Sequence, residues 1–213
     1  MERNVKILWS KISADTCDVL KERFYPLFDE ARRERIDRCK SGQKRGELLT
    51  AGALLCEALK ESGLQNCDIF YEKAGKPYIK DSDFHFNISH SGKLAAIAFS
   101  DRPLGFDIQK PVEAKDSLIK RVLTEEERKA VLAGDIEFNV IWSLKESFSK
   151  LSGEGIGTDF SKVTFEKTGE GCKVFYDGKQ EGFSLQFPLF EDYSACVAMA
   201  EPFSVTELRE VIF

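Results

Sequence analysis

Two charged side chains lie within apolar stretches of the sequence, where a charge needs a partner. Asp107 stands between Phe106 and Ile108, and a carboxylate in such a strand-like run is costly unless it is paired or binds a metal. Lys145 falls on the apolar side of the segment FNVIWSLKESFSKLS, so its ammonium must extend to solvent or meet a buried anion. Both positions are therefore candidates for a functional site.

The segment that contains Lys145 is predicted to be a long helix. Its apolar residues recur at helical spacing from Phe138 to Leu151, which indicates an amphipathic helix packed on a core. Glu146 and Lys150 lie one turn apart at the edge of the apolar face. An ordinary ion pair on a helix surface explains this spacing, and so does a pair that acts on a ligand. The segment alone leaves both interpretations open.

A second polar group falls at the end of a predicted strand. The run FHFNISHS alternates apolar and polar residues, and it closes on Ser89, His90 and Ser91 before a turn at Gly92. A histidine beside a strand end is commonly structural, whereas hydroxyls and an imidazole clustered at a turn could also contact phosphate oxygens. Both interpretations stay open here.

Basic residues crowd one short segment of a chain whose net charge is −5. They are Arg32, Arg33, Arg35, Arg38, Lys40, Lys44 and Arg45. Most charge runs are solvated helix faces, but arginine forks also match phosphate oxygens. The contrast with the acidic remainder of the chain favours a phosphate-binding edge.

The elements that must position these residues follow from periodicity and turn signals. We predict strands at residues 5–9, 69–71, 84–91, 94–99, 104–108, 163–166, 173–176, 183–187 and 194–200. We predict helices at residues 48–59, 125–132 and 138–151, a helix within 20–28 that runs up to Pro26, and a short helix for the tail 205–213. Thr124 and Glu127 have the spacing of a capping box. A turn at residues 74–78, with Pro77, is expected to present Lys76.

Composition bounds the class of protein. The chain has 213 residues, of which 42% are hydrophobic and 31% charged, as in soluble globular proteins. The negative net charge argues against a nucleic-acid partner. We expect neither a signal peptide nor a membrane span, because no apolar run is long enough. The six cysteines lack metal-ligand spacing, and we therefore expect a reduced, cytoplasmic protein.

The two halves of the sequence share a plan in which helices are followed by antiparallel strands. Each half ends its main strand set in an alanine-rich strand, LAAIAFS or YSACVAMA. We therefore predict an α+β protein of two similar lobes, with helices packed on a small antiparallel sheet in each. The lobes are expected to span residues 1–101 and 102–213.

Four motifs in order resemble the surfactin-synthetase-type 4'-phosphopantetheinyl transferases over essentially the whole chain. They are GKP at 75–77, NISHS at 87–91, GFDIQ at 105–109 and WSLKESFSK at 142–150. The resemblance implies the fold of that family, two pseudo-twofold-related lobes with coenzyme A in the cleft between them. It also implies transfer of 4'-phosphopantetheine from coenzyme A to a serine of an apo acyl or peptidyl carrier protein, with release of adenosine 3',5'-bisphosphate.

The resemblance also assigns roles to residues. It implies Mg²⁺ held by Asp107 and Glu146, with Glu146 as the base and Lys150 stabilising the leaving group. The coenzyme-binding residues that it implies are Arg32, Arg35, Lys76, Ser89 and His90. The positions of Lys145 and Lys150 on the predicted helix add these two cations as expected coenzyme ligands. The chain has Gln109 where many relatives have Glu, so we expect two protein carboxylates on the metal, with Gln109 contributing through water at most.

The partners implied are coenzyme A and a carrier protein, and a monomer is expected. We expect the carrier to dock near residues 111–132, where Ile119, Val122 and Leu123 either form an apolar patch or pack inward. The sequence does not choose among fatty-acid, polyketide, nonribosomal-peptide and siderophore carriers. The competing hypotheses are a non-catalytic coenzyme A or nucleotide-binding module and a protein-interaction scaffold.

Overall fold

The structure is a computed structural model that describes residues 3–64, 67–72 and 75–213, with Ile156 described by its backbone alone. Its strands are β1 (Arg3–Lys11), β2 (Ile69–Tyr71), β3 (Pro77–Ile79), β4 (His85–Ser91), β5 (Leu94–Ser100), β6 (Leu104–Gln109), β7 (Val163–Lys167), β8 (Cys172–Tyr176), β9 (Lys179–Pro188), β10 (Ser194–Met199) and β11 (Phe203–Glu210). Its α-helices are α1 (Cys17–Phe24), α2 (Glu30–Asp37), α3 (Gly42–Glu61), α4 (Asp116–Val122), α5 (Glu125–Ala133) and α6 (Phe138–Ser152).

The chain divides into two compact units. Residues Asn4–Arg102 and Ser204–Phe213 form the N-terminal unit, and Pro103–Phe203 form the C-terminal unit. The predicted boundary between residues 101 and 102 falls next to this division. The segment Ser204–Phe213, however, belongs with the N-terminal unit and not with a lobe spanning 102–213.

In the N-terminal unit, α3 packs on a four-stranded sheet of order β11-β1-β5-β4. The predicted hairpin is present as β4 and β5, which pair antiparallel from His85↔Ser100 to Ser91↔Leu94. Leu54 and Ala58 of α3 share a buried cluster with Ile97 of β5. This core fixes the strand that carries Ser89 and His90.

A second cluster in the same unit joins α1 and α2 to α3. It contains Leu20, Phe24, Phe28, Ile36, Leu49 and Ala53. The helix predicted within 20–28, up to Pro26, begins earlier, at Cys17, and ends at Phe24. A 3-10 turn over Tyr25–Leu27 follows, because Pro26 cannot continue the α-helical hydrogen bonds. Strands β2 and β3 form a separate two-stranded antiparallel sheet.

The C-terminal unit contains a five-stranded antiparallel sheet of order β6-β10-β9-β8-β7. Helix α6 lies on β6 and β10. The Ser143 hydroxyl joins the helix to β10, since it lies 3.0 Å from Ser194 Oγ and 3.1 Å from Cys196 Sγ. Each unit combines helices with small sheets, which confirms the predicted α+β class.

The prediction of a helical tail is wrong. Residues Phe203–Glu210 form β11, which lies beside β1 at the edge of the N-terminal sheet. The edge of β1 offers backbone donors and acceptors, and pairing with the tail satisfies them. Thr206 Oγ1 donates to the Val5 carbonyl at 3.4 Å, and Lys6 Nζ lies 3.2 Å from Glu207 Oε2.

The apolar residues proposed as a docking patch point inward. Val122 and Leu123 are buried in a cluster with Phe138 and Ile141, and the half-buried Ile119 packs against it. The short helix α4 must cover its apolar side on α6, which explains their burial. The alternative that these residues are part of the core is therefore confirmed. Among the described residues, no helix is long and apolar enough to cross a membrane.

Candidate active site

A glycine lets α6 approach β6 at backbone contact distance. A Cβ atom built on Gly105 would lie 1.9 Å from the Ser147 carbonyl oxygen and 2.4 Å from the Leu151 amide nitrogen. Neither backbone atom can rotate away, so only glycine fits at this crossing. The close approach brings the polar edge of α6 over the strand that carries Asp107.

Asp107 and Lys150 form a direct ion pair at this crossing. The Lys150 Nζ lies 2.7 Å from Asp107 Oδ1, and it also donates to the Phe106 carbonyl oxygen at 3.0 Å. The Asp107 side chain is 8% exposed and that of Lys150 is 26% exposed. The strand therefore holds the ammonium at a fixed position while part of it still reaches solvent.

Glu146 lies one turn before Lys150 on α6 and is partly buried. Burial raises the pKa of Glu146 above its usual range, the nearby Asp107 carboxylate raises it further, and Lys150 opposes both effects. Two carboxylates thus lie near one ammonium, which is bonded to Asp107, and the site has an excess of negative charge. Such an arrangement suits an added cation or a proton-accepting role.

The donor set fits Mg²⁺. This ion prefers oxygen ligands and is commonly held by one or two carboxylates together with substrate phosphates and water. Across the described ranges, no group of three or more His, Cys, Asp or Glu side chains is placed to hold a metal ion. The Gln109 side-chain amide donates to the Lys110 carbonyl at 3.0 Å. Asp107 and Glu146 are the two carboxylates at the site that could hold such an ion.

The elevated pKa of Glu146 has a consequence for stability. An ionised Glu146 opposes folding at pH values above its native pKa, whereas the protonated form carries no such cost. In the absence of divalent metal, we expect Glu146→Gln to unfold at higher denaturant than the wild type at neutral pH. The advantage should shrink as the pH falls through the native pKa towards that of an unfolded glutamate, at about 4.3. Urea titrations in EDTA across this range check the sign, and a variant less stable at neutral pH would contradict it.

The predicted role of Lys145 as a coenzyme ligand is not supported by its surroundings. Its buried Nζ donates to Glu127 Oε2 at 2.6 Å, to the Phe160 carbonyl at 2.8 Å and to the Val122 carbonyl at 3.0 Å. An ammonium has three donors, so these bonds use all of them. The buried anion that the apolar position of Lys145 required is Glu127.

Glu127 serves two structural purposes at once. It completes the predicted capping box of α5, in which Thr124 Oγ1 accepts from the Glu127 amide and Glu127 Oε2 accepts from the Thr124 amide. The same oxygen accepts from Lys145. The pair therefore fastens α6 to the start of α5 and to the end of α4.

Replacing Lys145 with methionine should strongly destabilise the protein. The change leaves the Glu127 carboxylate and two carbonyl groups without their donor, which costs about 3 kcal/mol of unfolding free energy. Lys129, on the exposed surface of α5, provides the control, and Lys129→Met should change stability by less than about 0.5 kcal/mol. Equal stabilities of the two variants in urea titrations would disprove the structural role of Lys145.

The polar corner at the end of β4 contacts the start of α3. His90 Nε2 lies 3.4 Å from Lys44 Nζ, and His90 Nδ1 lies 3.6 Å from Glu47 Oε2. Lys44 and Glu47 are themselves joined at 2.8 Å. Ser89 is buried and His90 is exposed. The structure thus brings Ser89, His90 and one member of the basic segment together, with Glu47 as a partner that the sequence did not reveal.

The remaining predicted coenzyme ligands differ in exposure. Arg35 is exposed and Arg32 is buried, although both lie on α2. Lys76 directly precedes β3, in a turn where the Gly75 amide donates to the Glu72 carbonyl at 2.8 Å. Part of the predicted turn, Ala74, lies outside the described residues.

Reasoning from the sequence missed the role of Gly105. A lone glycine inside an apolar strand is a signal for close backbone approach. A second signal in the sequence is the pair of small residues Ser143 and Ser147, one turn apart on α6. The structure shows that both are fully buried. Together they indicate a helix that sits directly on a strand.

Comparisons with known proteins identify relatives of this chain. The model of the 4'-phosphopantetheinyl transferase superfamily matches residues 103–198, which contain Asp107, Glu146 and Lys150. The chain is 29% identical to 4'-phosphopantetheinyl transferase Sfp of Bacillus subtilis (strain 168) over 192 residues, which cover 85% of this chain and 86% of that protein.

Two further relatives are similar at higher identity over shorter alignments. A 4'-phosphopantetheinyl transferase of Bacillus subtilis is 32% identical over 155 residues, which cover 68% of this chain and 69% of the relative. The gsp transferase of Aneurinibacillus migulanus is 30% identical over 172 residues, which cover 76% and 70%. With these matches spanning the elements that carry the site, the chain belongs to the 4'-phosphopantetheinyl transferase superfamily and is of the Sfp type.

Proposed function

We propose that this protein transfers the 4'-phosphopantetheine group of coenzyme A to a serine hydroxyl of an apo acyl or peptidyl carrier protein. The observation that carries the proposal is the adjacency of Asp107, Glu146 and Lys150 at the crossing of β6 and α6. Membership of the superfamily supplies the reaction, and these three side chains supply the groups that the reaction needs.

The reaction is a phosphoryl-group transfer. The serine oxygen attacks the β-phosphorus of coenzyme A and forms the new phosphodiester bond. The bond from this phosphorus to the bridging oxygen of the pyrophosphate breaks, and its electron pair leaves with adenosine 3',5'-bisphosphate. The serine proton must go to a base, and Glu146 is the base that the site offers.

Glu146 is suited to this role by its environment. Its pKa is raised by burial and by Asp107, so its carboxylate accepts a proton more readily than an exposed glutamate would. A carboxylate has two oxygens, so one can accept the serine proton while the other faces a cation. Removal of the carboxylate therefore removes both properties.

Lys150 is suited to the leaving group. Asp107 Oδ1 and the Phe106 carbonyl hold its ammonium in place, which means that little reorganisation is needed when negative charge develops nearby. We propose that the ammonium stabilises the departing bisphosphate. Asp107 is thus both an anchor for Lys150 and a candidate metal ligand.

Asp107 and Glu146 would hold Mg²⁺ at this site. When bound, the ion would neutralise charge on the phosphate oxygens and lower the barrier to attack of the serine oxygen on the β-phosphorus. Gln109 carries no charge, and we propose that it contributes through water at most. Substrate phosphates should then supply a larger share of the ligands, and metal affinity should rise when coenzyme A is present.

We further propose that the N-terminal unit recognises the adenosine end of coenzyme A. The supporting features are the imidazole of His90 beside the Lys44 ammonium, the neighbouring Ser89, and the cations Lys76 and Arg35. Arg and Lys groups bind phosphate through charge-assisted hydrogen bonds. Arg32 is not part of this set, because its side chain lines a cavity that neither Ser89 nor His90 lines.

The direct test is the mass of a carrier protein. Apo acyl and peptidyl carriers are incubated separately with the enzyme, coenzyme A and Mg²⁺, and intact-protein mass spectrometry is used to detect one added phosphopantetheine on the serine. We expect the gain for at least one carrier and its absence when the serine is replaced by alanine. Binding of coenzyme A without a mass gain across the carriers would refute the transferase and favour a non-catalytic module.

A further inference from the structure

A cavity of about 340 Å³ lies in the N-terminal unit. Its walls are mainly apolar and come from α1, the connection between α1 and α2, α3 and the segment around β2: Phe24, Leu27, Phe28, Leu55, Leu59, Leu64 and Ile69. The volume falls in the range of small-molecule sites, roughly 300–1,000 Å³. No residue of the proposed catalytic group, and no member of the Ser89–His90 corner, lines this cavity.

Arg32 supplies the polar end of the cavity. Its side chain is 8% exposed and lines the cavity beside Phe28, whose ring centroid is 5.9 Å from the guanidinium carbon. A guanidinium carries five N–H donors. In the described part of the chain, Arg32 makes one side-chain hydrogen bond, a long one of 3.4 Å from Nη1 to the Leu48 carbonyl.

The nearest acid, Asp29, does not accept a hydrogen bond from the Arg32 side chain. Asp29 Oδ2 lies 3.8 Å from Arg32 Nε, beyond hydrogen-bond distance. The other oxygen, Oδ1, caps α2 by accepting from the Arg32 amide at 2.9 Å and also accepts from the Tyr71 hydroxyl at 3.1 Å. Burial lowers the pKa of Arg32, and Tyr71 and Asp29 only partly oppose this. A buried, incompletely bonded guanidinium is costly unless an anion meets it.

The other charged residues in the cavity lining are one ion pair and one further cation. Arg23 and Glu57 face one another at 3.7 Å. Lys60 adds a further exposed cation to the lining. The apolar walls and the cationic end together select a molecule that has an apolar body and one acid group.

We propose that this cavity binds an anionic amphiphile, with its carboxylate on Arg32 and its apolar body against the wall formed by Phe28, Leu55 and Leu59. At roughly 30 Å³ per non-hydrogen atom, the cavity accommodates about ten such atoms, the size of an eight-carbon fatty acid. The site is separate from the transfer reaction and does not depend on the proposed function. It also accounts for the position of Arg32, which lies buried in this cavity and apart from the exposed part of the basic segment.

The test compares octanoate with 1-octanol, which has the same chain but no charge, by calorimetric titration of the full-length protein. We expect octanoate to bind saturably at one site and at least about tenfold more tightly than octanol, since a hydrogen bond between two charged groups is stronger than one to a neutral hydroxyl. Arg32→Met should remove this difference by weakening octanoate binding about tenfold while octanol changes little. Arg33→Met, which alters a residue outside the cavity lining, is the matched control and should behave as the wild type.

A second variant protects the test against misfolding of Arg32→Met. Cys56 lines the cavity from α3, and Cys56→Phe should fill the space and abolish binding of both ligands. Circular dichroism establishes that each variant is folded. Equal affinities for octanoate and octanol in the wild type, unchanged binding in Cys56→Phe, or no saturable binding would each overturn the proposal. Displacement of octanoate by adenosine 3',5'-bisphosphate would also overturn it, because the cavity would then be part of the coenzyme site.

Discussion

Replacing Glu146 with glutamine is expected to lower the rate of phosphopantetheine transfer by at least about 1,000-fold while the protein stays folded. Loss of a general base alone costs about 10²–10⁴ in rate. The same change removes one of the two carboxylates available to a metal ion. Glutamine keeps the shape of the side chain, so the loss would report on the charge and the proton-accepting oxygen.

The rate is measured as holo-carrier formation by mass spectrometry at saturating coenzyme A and Mg²⁺. Glu170→Gln is the matched control, because Glu170 is an exposed acid in the connection between β7 and β8. It should transfer at the wild-type rate. A Glu146→Gln enzyme that retains more than about a tenth of wild-type activity would show that another group takes the serine proton.

Replacing Gly105 with alanine is expected to cost about 3 kcal/mol of stability, at the upper end of the usual cost of overpacking. The added methyl group would meet the Ser147 carbonyl oxygen and the Leu151 amide of α6. Because these are backbone atoms, the whole helix must move away from β6. That shift would carry Glu146 and Lys150 away from Asp107, so transfer should fall even in the fraction that remains folded.

Gly169→Ala is the control for the glycine substitution. A Cβ atom at Gly169 meets nothing within 4 Å, and its backbone does not require a left-handed conformation. Urea titration should therefore show a change within about 1 kcal/mol for this variant. If Gly105→Ala were as stable and active as Gly169→Ala, the backbone of α6 could not lie in direct contact with Gly105 of β6.

The sequence predicted the elements of the candidate site because their patterns are strong. The apolar period of residues 138–151 predicts α6, and it is present as Phe138–Ser152. Asp107 between two apolar neighbours indicates a buried carboxylate, and the structure pairs it with Lys150. In each segment the charged residue among apolar neighbours has a specific partner, Glu127 for Lys145 and Lys150 for Asp107.

Partners distant in sequence could not be predicted in this way. Lys145 requires an anion, but periodicity cannot say that the anion is Glu127, since the choice depends on how α5 packs against α6. The apolar position of Lys145 led to the expectation of a coenzyme ligand, and the structure instead gives all three donors to the protein. Long-range pairing of this kind is fixed by tertiary packing.

The C-terminal tail shows that backbone pairing between segments distant in sequence could not be predicted either. Residues 203–210 are short and contain both helix-forming and β-branched residues, so local propensity is a weak guide. Their strand conformation follows from the edge of β1, which lies far away in the sequence. Arg32 is a third case, because a basic segment indicates exposure while the packing of α2 on α3 buries this one member.

The central claim is that Asp107 and Glu146 together hold the divalent ion used in transfer. Titration of Mn²⁺, as a spectroscopic substitute for Mg²⁺, is followed by electron paramagnetic resonance with coenzyme A bound. The wild type should bind one ion, Asp107→Asn and Glu146→Gln should each weaken it at least about tenfold, and Gln109→Glu should tighten it. Wild-type affinity in both carboxamide variants would contradict the account.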